Sequence, residues 1–303
     1  MKTKDIYFGT MKFVWLKLAM GAAVTLASLI LFALFMLLGA IFGQGGVFFM
    51  FCLWLACTGG IYSFVMHYIG YVIKAGHVAV IAEAVTKGQI PDNQFEWGKE
   101  AVKSRFAASN VYFVVDRLVS GAVRQLQRTV GRIGEVLDVI PGMSQITSIL
   151  QTFIGIALGY VDECCLGYCF LKKEEGAFKA SCDGVVIYFQ NAKKLLKDAA
   201  ITTVIVIVGS IVAWILPLAL FGLIFRALGW SMVGAVILAI MVAIFLKSAF
   251  IDSYMLVKMM VSYMEVAPST EITFDLYDKL SKLSGKFRSL FGKAKEEGNF
   301  TTV

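Results

Sequence analysis

Charge is scarce in this sequence. Asp, Glu, Lys and Arg make up 16% of its 303 residues, against about 25% in an ordinary soluble domain. The deficit is clustered into long uncharged runs, and a run of about 20 apolar residues is enough to cross a bilayer. Histidine is scarcer still, with only His67 and His77. The six cysteines (Cys52, Cys57, Cys164, Cys165, Cys169 and Cys182) contain no CxxC pair. No metal site and no cofactor are therefore implied, and packed, reduced thiols are the expectation. The chain also lacks a nucleophile elbow, a glycine-rich phosphate loop and a paired-metal motif. The adjacent acids Asp162 and Glu163 do not make a catalytic constellation by themselves. An enzyme is not expected, and no large polar region suggests a separate catalytic domain.

What is present is apolar and basic. Hydrophobic residues make up 58%, the formal net charge is +7 and the mean hydropathy is +0.76. In a membrane protein a basic excess points to cytoplasmic loops and not to nucleic acid. The N-terminal apolar run continues from Leu18 to Phe42, longer than the core of a signal peptide, so it reads as a retained first span.

The pattern predicts an all-α, polytopic integral membrane protein with amphipathic interfacial helices. A span over 13–42 turns at "GQGG" into a second over 47–73. Residues 74–105 mix both charges around a turn at Pro91–Asn93, which predicts two short amphipathic helices. Residues 143–171 form a further apolar run. Residues 172–199 are basic and amphipathic. Two more spans follow over 200–225 and 231–264, the first carrying Pro217. Residues 1–264 then form one transmembrane domain. The tail, 265–303, is polar and lysine-rich, with Leu276, Leu280, Leu283, Phe287 and Leu290 at helical spacing. It suits anionic lipids, or a partly solvated tail.

The undecided stretch is "DRLVSGAVRQLQRTVGRIGEVLD", Asp116 to Asp138. Without it the spans number five, and lysine-rich loops fall on both sides. With a crossing over 106–140 the count is six, and every long basic segment falls inside. The expectation is therefore about six spans, both termini cytoplasmic, in the cell membrane. A charge at the centre of a span costs about 2.5–3.5 kcal/mol, so four arginines must face protein or water. At about 100° per residue, Arg117, Arg124 and Arg128 lie within roughly 40° of one another, with Arg132 about 40° beyond.

Acids at similar depth make an internal charged cluster geometrically available. The candidate pathway residues are Asp116, Arg117, Arg124, Arg128, Arg132, Asp162, Glu163, Lys247 and Asp252. Tyr160, Tyr168 and Tyr254 are aromatic candidates beside the acids. A structural salt-bridge network and a surface helix stand as the alternatives.

Three stretches resemble the membrane region of the choline transporter-like family: "GHVAVIAEAVTKGQIPD", "RFAASNVYFVVDRLVSGAVRQLQR" and "LKSAFIDSYMLVKMMVSYME". The resemblance implies a transporter with a cavity for a small organic cation, held by aromatic faces and a carboxylate. The family's large extracellular region after the first helix has no counterpart in this sequence. The arginine stripe instead suits an anion or a lipid phosphate. The leading expectation is a transporter or channel for a small solute. The competing one is a non-transporting membrane scaffold that forms a homo-oligomer or docks partners through its amphipathic helices.

Overall fold

A computed structural model describes residues 1–105, 109–137, 155, 158–229, 232–272 and 274–297. The side chains at 129–137 lie outside that description. All regular secondary structure among the described residues is helical, without a strand. We label the helices α1 (Thr3–Gly9), α2 (Met11–Ile41), α3 (Gly43–Val65), α4 (Tyr71–Lys87), α5 (Gln94–Arg105), α6 (Ser109–Leu137), α7 (Val161–Leu171), α8 (Ala177–Gln190), α9 (Ala192–Ala227), α10 (Met232–Leu246), α11 (Asp252–Val266), α12 (Phe274–Leu283) and α13 (Gly285–Glu296). Single π-helical turns, Met66–Gly70 and Lys247–Ile251, join α3 to α4 and α10 to α11.

Four helical stretches among the described residues are long and apolar enough to cross a membrane. They are Met11–Ile41, Gly43–Lys87, Thr202–Ala227 and Met232–Ser269. They correspond to the first, second, fifth and sixth expected spans. The expected crossing at 106–140 is not among them. About half of the expected span at 143–171 lies outside the described residues. Its described end, α7, has 11 residues.

The chain divides into two compact units. The first, a hairpin unit, comprises Met11–Lys74 and Ile207–Ser253. Its α2–α3 turn uses Gly43 at φ +72°, a conformation that glycine adopts without strain. Trp54 donates from Nε1 to the Ser28 carbonyl at 2.9 Å, and the Ser28 and Thr58 hydroxyls bond at 2.9 Å. These bonds satisfy polar groups between α2 and α3 that lipid could not. Ile30, Leu37, Phe48 and Ile215 are exposed, as befits surfaces facing hydrocarbon.

The second, a helical unit, comprises Met1–Thr10, Ala75–Val206 and Tyr254–Val303. Its centre is built on small residues. Gly184 of α8 faces the Cys165 backbone of α7 so closely that an added Cβ would lie 3.1 Å from the Cys165 Cα. The Tyr263 hydroxyl donates to the Gly184 carbonyl at 3.1 Å, and its ring stacks on Tyr188 with centroids 6.0 Å apart. The two helices expected around Pro91–Asn93 are present as α4 and α5. However, α4 is buried continuously from Ala75 to Ala82, and α8 from Ala180 to Tyr188. Neither lies on a surface as an amphipathic stripe, because both are hemmed in by neighbouring helices.

The tail also departs from expectation. Its α12 and α13 pack on α6 and α8, and Tyr277, Leu280, Phe287, Leu290 and Ala294 are buried there. The apolar face that would suit a leaflet is thus covered by protein.

Candidate functional site

The arginine-bearing helix α6 is two-faced. Val115, Leu118, Val119, Ala122, Val123 and Leu126 are buried, packed toward α7, α8 and α13. Arg117, Arg124 and Arg128 are exposed on the opposite side. That is the stripe the spacing predicts. None of the three forms an ion pair among the described residues. The Arg132 side chain lies outside the description.

Of the expected acidic partners, Asp162 does meet α6: it accepts a hydrogen bond from the Ser120 hydroxyl at 3.2 Å. Asp116 is half-buried and Glu163 is buried, 6% exposed. Lys247 and Asp252 fall in the hairpin unit and pair there at 2.6 Å. The Lys17 ammonium donates to Ser253 in the same unit at 2.8 Å. The nine expected pathway residues are therefore divided between two units.

The aromatic candidates are likewise dispersed. Tyr160 is half-buried. Tyr168 is buried, edge-on to Tyr263 with centroids 6.4 Å apart. Tyr254 is edge-on to Tyr7 at 5.3 Å. No aromatic box forms from the three. A recess of about 560 Å³ in the hairpin unit is lined by apolar residues including Phe32, Phe51, Trp54, Phe225 and Leu238.

A second set of groups, invisible as a motif, locks the tail to the helical unit. Tyr277 of α12 donates its hydroxyl to the Asp183 carboxylate, whose other oxygen accepts from the Lys179 ammonium at 2.9 Å. Burial holds the Asp183 carboxyl above its usual range, with the Tyr277 and Lys179 bonds acting the other way. Burial alone would lower Lys179, but its bonds to Glu175 and Asp183 outweigh it and hold that ammonium raised. Ser284, between α12 and α13, donates to Gln125 of α6 at 2.6 Å and caps α13 by accepting from the Phe287 amide at 3.1 Å. At the tail's end, Glu297 accepts from the Phe178 and Lys179 amides at 3.3 and 3.0 Å. A carboxylate there satisfies free N–H groups of α8 and complements its dipole. The one signal available in sequence was Asp183 itself, a lone acid in "SCDGVVIYF".

Cys164, Cys165, Cys169 and Cys182 are buried and unbridged. Burial pushes the Cys169 thiol up to about 11 and the other three well above their usual range. These groups stay protonated at neutral pH and are poor nucleophiles. Among the described residues no group of three His, Cys, Asp or Glu could hold a metal ion. No family model, curated protein or solved structure matches the chain.

Proposed function

We propose that the protein is a membrane-anchored helical scaffold. Four spans fix it in the bilayer, and the described helices of the helical unit serve as a docking body on the cytoplasmic side. The observation that carries this reading is the outward arginine row of α6, set on a face opposite its packed apolar side. A solute pathway would need those charges turned inward. Four crossings also satisfy the charge rule. The connections left outside are Gly-Gln-Gly-Gly and Arg-Ala-Leu-Gly-Trp, with Arg226 their single cation, and every lysine-rich segment stays inside. The cell membrane remains the proposed location.

The transport reading draws support from one feature. The Lys247–Asp252 pair flanks a π-helical turn in the last span, and such turns recur at functional sites. One experiment separates the readings. The full chain is reconstituted in vesicles loaded with choline, chloride or phosphate, and a photo-cross-linker is placed at Arg124 in native membranes. The scaffold reading expects no flux above empty vesicles and discrete cross-linked adducts. Flux abolished by Asp252→Asn, without adducts at Arg124, would overturn it.

A further inference from the structure

The geometry points to a composite binding face for anionic lipid headgroups, formed jointly by α6 and the start of α13. Tail and stripe each carry basic residues in sequence, but only the fold puts them side by side. Gln125 of α6 accepts from the Ser284 hydroxyl at 2.6 Å and the Lys286 amide at 3.1 Å. This fixes the beginning of α13 along one flank of α6. The Lys286 stem then lies over Gly121, where an added Cβ would come within 3.1 Å of the Lys286 Cγ. Gly121 is on the helix edge between Arg117 and Arg124, so Lys286 joins the row.

The row is long and shallow. At 1.5 Å per residue, Arg117 to Arg128 spans roughly 16 Å along the axis. Val114, on the same side of α6, is 36% exposed, and Leu283, just before the Ser284 anchor, is 52% exposed. Cations interleaved with exposed apolar side chains fit a lipid interface, where headgroups meet acyl chains. They fit nucleic acid less well, since its surface offers phosphates without hydrocarbon. The binding is electrostatic and peripheral, because the tail's own apolar stripe is already buried on α6 and α8. Each cation near an anionic leaflet adds to the attraction, and salt screens it.

This assignment rests on the membrane anchoring proposed above, and the test reads the two separately. The full chain and its R117Q/R124Q/R128Q variant are extracted from membranes in mild detergent. Resistance of both to alkaline extraction reports anchoring, and circular dichroism reports helix content. Native mass spectrometry then counts phosphatidylglycerol and phosphatidylcholine retained per chain. The expected result is phosphatidylglycerol retention at least tenfold higher in the wild type than in the variant, reversed by high salt. Phosphatidylcholine retention should be equal in the two. Equal phosphatidylglycerol retention in both proteins would overturn the site. So would preferential binding of a 20-base RNA over phosphatidylglycerol by the wild type. Loss of alkaline resistance by both would count against the anchoring instead.

Discussion

Asp183 is the residue on which the helical unit's polar bonding converges. Its side chain is nearly inaccessible, held by Tyr277 and Lys179. Tyr277→Phe removes one donor and leaves a buried carboxylate oxygen short of a bond, a loss of about 1–3 kcal/mol. Thermal unfolding of the full chain in detergent should register it as a lower midpoint. The pH dependence has a definite sign. The folded unit holds the Asp183 proton more tightly than the unfolded chain does. That contribution to stability is complete below the unfolded carboxylate pKa and is lost as pH rises through the raised folded value. Asp183→Asn does not titrate. As pH rises above the unfolded carboxylate's value of about 4, the stability difference should therefore move in the variant's favour, and a difference independent of pH would contradict the assignment. Nothing in the sequence reading set Asp183 apart from the rest of the basic, amphipathic 172–199 segment. Its partner Tyr277 is 94 positions away, and no local pattern encodes such a pairing.

At the scale of the helix, two glycines make contrasting predictions. Gly184→Ala would press a methyl against the Cys165 backbone at 3.1 Å, forcing α7 and α8 apart. Such overpacking costs about 1–3 kcal/mol. Gly167→Ala crowds the flexible methyl ends of Met260 and Met264, which can swing aside, and meets Val78 at an ordinary 3.8 Å. Paired melting curves should show a clear drop for the first and little change for the second. Ser284→Ala should cost about 1 kcal/mol through the lost cap, and limited proteolysis should then cut between α12 and α13 sooner. The periodicity of α6 was readable in advance, because 3.6-residue spacing sets which side chains share a face. What that face packs on was not readable. The same apolar stripe serves lipid, solvent-exposed docking or a protein neighbour equally well. Leu283 shows the limit: it keeps the tail's helical spacing, yet it is exposed where Phe287 and Leu290 are buried, because α12 ends there and the chain turns at Ser284.

At the scale of the whole molecule, apolar length in the sequence picked out the four helical stretches that are long and apolar enough to cross a membrane. The helices themselves run further, to Lys87 and Ser269, since a helix does not stop where hydrocarbon does. Charge distribution supported an even number of crossings, and both four and six satisfy it. The two counts differ at the segment after α6: six crossings put Gly142 outside and four put it inside. The direct test is a cysteine introduced at Gly142, labelled with a membrane-impermeant maleimide on intact cells and again on opened membranes, with Gly45→Cys as the external control. The four-span account predicts labelling of Gly142→Cys only after the membranes are opened, while Gly45→Cys labels on intact cells. External labelling of Gly142→Cys would contradict it.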